Sequence, residues 1–555
     1  MSLRRGVIIP FIALGLLVVG AYPATAQAAP SDGGRALPYL ATWLLPLGLS
    51  FLAVGVSHPS RAHHAATALP LAMGLAVGSY YLCGFALQFG GVGLVSDHPD
   101  LARLLAEWSP LDLKLGPGWG LVGLRGFMLA EEAVQGEGMW LFISQLALVT
   151  TAALLPLVTL NGRVPRLPML VLAGVSAAAC YPLMGNWVRG GGWLSQLGLT
   201  LGWGHGYVDF GLTSLFLVGS AASLAGLITF RRYGSEPGGA GADGAAADPD
   251  MPHLPPSYLP LNVLLGGFLA LGGWLVTVIH QPMVPAVIAM PSLLTRALLA
   301  AGGGALAALL YGWLVRGDPD PALAGRGMVA ALVTVGAGLP FLPLGVVVAL
   351  GILAGLALAP LMYVVERVLR LDDPAASVSV GLVPALVGLL AVGLFANGHA
   401  GMGWNLADAT LVGGSIVPDA PRSALTQMGS TGVAAGAGQL WAQLAGAAAL
   451  LVLGGVGPLA LLGVVARAYT LPTAMVNAAQ SRAEQLQHER ESRDTVKRQG
   501  GGLSIWQQAH ITSLRVSANA DARLMRRRRP IRGGTSRPSQ GGAATPARRR
   551  LRTTR

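Results

Sequence analysis

The stretch LDDPAASVSVGLVPALVGLLAVGLFANG, residues 371–398, opens with two aspartates and carries no charge from Pro374 onward. A membrane-spanning helix needs about 20 predominantly apolar residues, and this run supplies them. Proline after the acids suits the first turn of a helix, where its missing N–H is no loss. The stretch therefore predicts a membrane helix that begins directly after Asp372 and Asp373.

The composition extends that prediction to most of the 555 residues. Hydrophobic residues make up 53%, charged residues only 11%, and the mean hydropathy is +0.58. Soluble domains carry about 25% charged residues, so an array of soluble domains is excluded and an all-α polytopic membrane protein is predicted. The two cysteines, Cys83 and Cys180, lie in apolar runs and predict neither a disulfide framework nor a metal site. The sequence contains neither a nucleophile–base pair nor a cofactor motif, so it does not indicate an enzyme.

The N-terminus reads as a secretory signal peptide over residues 1–29. Arg4 and Arg5 form a basic start, an apolar run follows, and Ala-x-Ala precedes Pro30. Cleavage is expected after Ala28, which places the mature N-terminus outside the cell membrane. The alternative is an uncleaved first helix.

Eleven further apolar runs are long enough to be candidate spans. They lie near residues 37–57, 67–92, 138–160, 166–186, 209–230, 259–280, 293–315, 327–341, 343–365, 375–397 and 435–466. With the first begun outside, the short inside loops hold basic residues, as the positive-inside rule requires. These residues are Arg61, Arg163, Arg166, Arg231, Arg232, Arg316, Arg326, Arg367 and Arg370. The C-terminus is then cytoplasmic.

A Gly-, Ala- and Pro-rich linker at 234–258 divides five spans from six. Two halves with an odd number of spans have opposite orientations, which predicts an inverted five-plus-five repeat and one C-terminal helix. The last helix of each half begins with an acid, Asp209 in the first and Asp373 in the second.

Three motifs in this order resemble the ammonium transporter / Rh family. They are GNWVRGGGWLSQLG (185–198) with Asp209–Phe210 after it, LLGGFLALGGWL (264–275), and the stretch 371–398. The resemblance covers residues 38–470 and implies a homotrimer with one pore in each protomer. It also implies transport of ammonium, ammonia or a similar small solute.

The resemblance assigns roles to several positions. In the family, a pore histidine follows each helix-mouth acid by eight residues; here those positions hold Leu217 and Gly381. The family aspartate that matches Asp209 shapes the outer ammonium site, although a helix cap explains an acid there equally. Ser214 and Trp274 are the other substrate-binding candidates, with Ser220, Ser377 and Ser379 as further pore-lining hydroxyls. Asp372 and Asp373 are interpreted as a cap on the inside face, and Arg189 stands close to where the family has a tryptophan.

The tail, residues 471–555, is predicted to be cytoplasmic, basic and largely disordered. After residue 481 it carries 18 Lys and Arg against 5 Asp and Glu. Such a cluster beside a membrane helix binds anionic lipid, whereas nucleic-acid binding is less favoured because the basic run lacks aromatic residues. The family also implies a PII-type regulatory partner, which the diverged inside loops disfavour. An alternative to transport is a sensor or scaffold that signals through this tail.

Overall fold

The computed structural model describes residues 32–57, 59–94, 96, 98–110, 120–160, 164, 166–201, 206–230, 259–280, 290–371, 373, 375–396 and 438–467. These residues form eleven apolar helices. In chain order they are α1 Gly34–Val56, α2 Ala65–Leu94, α3 Glu137–Leu160, α4 Arg166–Ser195, α5 Thr213–Thr229, α6 Pro260–Ile279, α7 Met290–Arg316, α8 Pro321–Gly336, α9 Leu344–Val368, α10 Ser377–Phe395 and α11 Gly438–Arg467. The signal peptide, the linker and the tail lie outside the described residues.

Nine of these helices are long and apolar enough to cross a membrane, whereas α5 and α8 are shorter. Each coincides with one of the predicted spans, and the helical membrane fold is confirmed; eleven crossings remain a prediction. The two short helices are also the most enclosed, since almost every residue of α5 and α8 is buried. A helix that is apolar on all sides belongs in the middle of a bundle.

The start of α8 differs from its prediction. The sequence predicted a span at 327–341 with Arg326 in an inside loop, but the helix begins at Pro321 and Arg326 is 1% exposed. The Asp320 side chain accepts a hydrogen bond from the Ala322 amide (2.9 Å), and Pro321 occupies the first turn. The cap and the proline start the helix before Arg326 although the local hydropathy is low. The Arg326 guanidinium therefore lies inside the protein.

Close backbone approach holds the two halves of the bundle together. Helix α1 packs along α6, where a Cβ at Gly266 would lie only 2.6 Å from the Gly48 carbonyl oxygen. On the other side of α6, a Cβ at Gly267 would lie 2.9 Å from Gly325 of α8. Small residues permit this close packing. Packing is what stabilises the helix contacts, because apolar lipid provides no hydrophobic driving force between helices.

The segment between α2 and α3 contains the only strands among the described residues. β1 Glu107–Trp108 pairs antiparallel with β2 Val122–Gly123. Short 3₁₀ turns at Pro99–Leu101 and Phe127–Leu129 flank this ribbon. The Trp108 side chain of β1 is exposed.

Several helices contain single π-helical turns, including Tyr80–Gly84, Ser176–Cys180 and Val452–Val456. The two cysteines link these turns. The Cys83 thiol donates to the Ala178 carbonyl (3.8 Å) and the Cys180 thiol to the Leu453 carbonyl (3.7 Å). A further π turn, Ser377–Leu382, forms the first turn of α10. Such turns recur at functional sites because they reorient the residues they contain.

Candidate functional site

The Asp209 carboxylate caps α5. Its Oδ1 accepts from the Thr213 amide (3.0 Å) and its Oδ2 from the Ser214 amide (2.7 Å). Between the acid and the helix, Leu212 has a left-handed backbone with φ of 67°. Asp209 is itself buried, so both oxygens face backbone donors rather than an open vestibule. The carboxylate stabilises the helix start and its dipole, as a cap does.

The other two substrate-binding candidates lie around the same helix start. The Ser214 hydroxyl shares a hydrogen bond with the Tyr207 hydroxyl (2.8 Å), and the Trp274 indole donates to the Gly211 carbonyl (3.0 Å). Both side chains are buried. The structure therefore brings Asp209, Ser214 and Trp274 together, and gives each of them an internal hydrogen-bond partner.

Arg189 fastens the chain just before α5. Its guanidinium donates to the carbonyls of Asp209 (3.0 Å) and Phe210 (3.1 Å). From α11, the Gln443 side chain binds both backbone groups of Val208, accepting from the amide and donating to the carbonyl. The sequence analysis missed Gln443. Its only sequence signal was an uncharged polar residue in an apolar run.

The start of α10 repeats the geometry of α5. The Asp373 Oδ2 accepts from the Val378 amide (2.9 Å), and Ala376 between them is left-handed with φ of 54°. In each half the acid, the left-handed residue three positions later and the capped amide five positions later have the same spacing. Asp372 lies outside the described residues, so its predicted capping role stays a prediction.

A buried charge distinguishes the second helix start from the first. Three acids act electrostatically on the Arg326 guanidinium of α8, namely Asp373, Glu366 and Asp320. The same guanidinium approaches the Met362 sulfur at 3.8 Å. A buried cation needs such compensation, because desolvating an isolated charge costs far more than any single contact returns. Sequence analysis had assigned Arg326 to a loop and therefore could not foresee this cluster.

Leu217 and Gly381, the two positions predicted to replace the family histidines, differ in their surroundings. Leu217 is fully buried in the apolar core. Gly381 lies in the π turn of α10 and borders a cavity of about 30 Å³. The cavity is lined from four helices or their starts: by Leu49, Leu52 and Ala53 of α1, Leu155 and Val158 of α3, Phe216 and Ser220 of α5, and Ala375, Ser377, Val380 and Gly381.

This cavity is apolar apart from two hydroxyls. The Ser377 hydroxyl is hydrogen bonded to the Thr159 hydroxyl of α3. The Ser220 hydroxyl is buried without a hydrogen-bond partner among the described residues. No lining residue is ionisable, and no group of three His, Cys, Asp or Glu residues able to hold a metal occurs in the described ranges. The arrangement suits a small uncharged molecule.

A second buried polar group joins α2, α3 and α4. The Tyr80 hydroxyl donates to Gln88 Oε1 (2.9 Å), Gln88 Nε2 donates to Gln145 Oε1 (3.2 Å), and the Tyr181 hydroxyl donates to the same oxygen (2.5 Å). The network satisfies its members internally and fixes three helices relative to one another.

Comparison with known proteins now decides the family. The sequence pattern of the Ammonium Transporter Family matches residues 39–489, most of the chain. The chain belongs to the Ammonium Transporter Family. It is 28% identical over 335 residues to the ammonium transporter Amt2 of Archaeoglobus fulgidus, covering 60% of this chain and 64% of that protein. It is 26% identical over 355 residues to a putative ammonium transporter of Synechocystis sp., covering 61% and 69%.

Solved structures agree on the fold. A structure titled "Sensor Amt Protein" superposes with a TM-score of 0.59 at 17% identity, covering 83% of this chain and 95% of that one. Saccharomyces cerevisiae Mep2 superposes with a TM-score of 0.58 at 18% identity, covering 81% and 89%. The family is one of membrane transporters. These superpositions show that the chain shares the fold of the two proteins.

Proposed function

We propose that this protein takes ammonium as its substrate and carries it across the cell membrane as neutral ammonia. The path in each protomer lacks the histidine pair. The observation that carries the proposal is the cavity beside Gly381, which residues of α1, α3, α5 and α10 line. Its position at one of the two histidine sites connects the family's activity with this chain's own geometry.

The charges near the path favour the neutral species. No carboxylate lines the cavity, and Asp209 uses both oxygens to cap α5. Arg189 presents a guanidinium where the family has a tryptophan, whose aromatic face would attract a cation. An ammonium ion entering the cavity would lose its water and gain only hydroxyls, which leaves the charge poorly compensated. Ammonia requires no such compensation.

A cavity-filling variant tests this function. Ammonium pulses are applied to proteoliposomes while internal pH is recorded. Ala53→Leu fills part of the cavity, and Ala357→Leu makes the same change on an exposed face of α9. We expect wild type and Ala357→Leu to alkalinise the vesicles faster than empty liposomes, and Ala53→Leu to lose that difference. A wild-type response equal to that of empty liposomes would contradict transport.

The second candidate is a sensor or scaffold that signals through the basic tail. One favouring observation is that a structure of similar fold is titled as a sensor. A wild type without transport, together with ammonium-dependent binding of a cytoplasmic partner by residues 471–555, would favour this candidate.

Assembly and surroundings are proposed with the function. The family fold implies a homotrimer, and native mass spectrometry of the detergent-solubilised chain tests it. The 18 Lys and Arg after residue 481 support binding to anionic lipid, which flotation with vesicles of defined charge tests. The cytoplasmic C-terminus, the external mature N-terminus after signal cleavage and a PII-type partner remain predictions.

A further inference from the structure

Ser220 is an unusual serine within α5. A helical serine commonly returns its hydroxyl to the carbonyl four residues earlier, as Ser223 does with Gly219 (3.0 Å). Ser220 is 0% exposed, and its Oγ has no hydrogen-bond partner among the described residues. A buried hydroxyl without a partner is destabilising, so its retention calls for an explanation.

The Ser220 side chain borders the cavity. The cavity's volume of about 30 Å³ admits one or two water-sized molecules, since one such molecule needs roughly 10–15 Å³ measured in this way. The other lining hydroxyl, Ser377, is already hydrogen bonded to Thr159. Ser220 is therefore the lining group with hydrogen-bonding capacity to spare.

Gly381 makes room for this hydroxyl. A Cβ on residue 381 would overlap the Ser220 Oγ. A histidine at 381 would clash with Ser220 in this position. The Ser220 hydroxyl can therefore occupy its place only because residue 381 has no side chain. The π turn of α10 places Gly381 directly opposite Ser220.

We propose that this cavity is a binding site for one neutral, water-sized, hydrogen-bonding molecule, ammonia or water, held by the Ser220 hydroxyl. The hydroxyl either donates to the lone pair of the bound molecule or accepts one of its N–H or O–H groups. This assignment rests on the proposed function for its physiological ligand, ammonia. It makes Ser220 a specificity-determining residue, which selects uncharged molecules by size and hydrogen bonding.

Ser220→Ala tests the site, with Ser223→Ala on the same helix as a matched control. The Ser223 hydroxyl is also buried, but it is bonded to the Gly219 carbonyl and does not line the cavity. We expect Ser220→Ala to slow alkalinisation by ammonium pulses about two- to tenfold, the effect of one lost hydrogen bond. Ser223→Ala should leave the rate unchanged. Ser220→Ala should not lower the unfolding temperature, because it removes a hydroxyl without a partner among the described residues.

A structural readout separates this site from transport itself. Crystals of the full chain are compared at alkaline pH with and without ammonium salt, for wild type and Ser220→Ala. Density within hydrogen-bonding distance of the Ser220 Oγ in the wild type alone supports the site. Density only with the salt identifies ammonia, and density under both conditions identifies water.

Two results would overturn the assignment: no density beside Ser220 in either wild-type crystal, or, with a wild type that alkalinises vesicles, a Ser220→Ala flux equal to that of the wild type. Wild type that holds the molecule but does not alkalinise vesicles would contradict the proposed transport and leave the binding site standing. The failures of the two proposals are thus distinguishable.

Discussion

Helices α5 and α10 begin in the same way and differ eight residues after the acid. Asp209 and Asp373 each cap a backbone amide five positions later, with a left-handed residue in between. The repeated geometry is that of a helix start. Leu217 and Gly381, which are predicted to replace the family histidines, lie in a packed core and beside a cavity respectively. The acids therefore establish the two helices, and the chemistry of the path depends on what lies deeper.

The difference follows from local structure. Helix α10 opens with a π turn, whereas α5 is α-helical from Thr213. The wider turn changes which residues face the neighbouring helix, and it sets Gly381 against Ser220. Equal spacing in sequence therefore does not give equal environments.

The largest loss of stability is expected when the leucine at position 217 of α5 is copied to the matching position 381 of α10. Gly381→Leu places a side chain against the Ser220 Oγ, and we expect a cost of about 3 kcal/mol or more together with loss of transport, because overpacked cores strain their neighbours. Thermal unfolding in detergent and vesicle alkalinisation measure the two effects. Gly302→Leu, on an open surface of α7, is the control and should be tolerated. Full stability in Gly381→Leu would contradict the close approach of α5 and α10.

A smaller loss of stability is expected when each of the two acids is replaced by asparagine. Asp373→Asn keeps an acceptor for Val378 but removes a charge that compensates Arg326, so we expect it to cost about 3 kcal/mol. Asp209→Asn should cost less, about 1 kcal/mol, because the cation beside it, Arg189, keeps its hydrogen bonds to the carbonyls of Asp209 and Phe210. Unfolding midpoints of the purified variants test this ranking.

The double variant Arg326→Met with Asp373→Asn sharpens the same test. It should be less destabilised than the sum of the two single variants, because no uncompensated charge is left buried. Additive effects would show that Arg326 and Asp373 are not coupled.

The smallest effect is expected at the first histidine position. Leu217→Met conserves volume in the core and should cost less than about 1.5 kcal/mol, with ammonia flux unchanged. Unfolding and alkalinisation of the same preparation test it. A large loss of flux at near-native stability would show that Leu217 belongs to the path.

The sequence sufficed for much of the helix order, because apolar runs and helix-mouth acids are local signals. It placed the start of α8 wrongly, since a hydropathy average penalises Arg326 while the Asp320 cap and three acids accommodate it. The positions Leu217 and Gly381 came from the resemblance to the family, by counting eight residues from each helix-mouth acid. The pairing of Gly381 with Ser220 did not, because it depends on how α5 and α10 pack and on a π turn that no local pattern announces.

The central claim is that the path conducts a neutral molecule without a proton relay. Simultaneous recording of current and internal pH in wild-type proteoliposomes during an ammonium pulse tests it most directly. The account predicts alkalinisation above that of empty liposomes with no saturable ammonium current. A saturable current that accompanies the pH change would contradict it, and would mean that charge crosses the membrane by a route other than the one described.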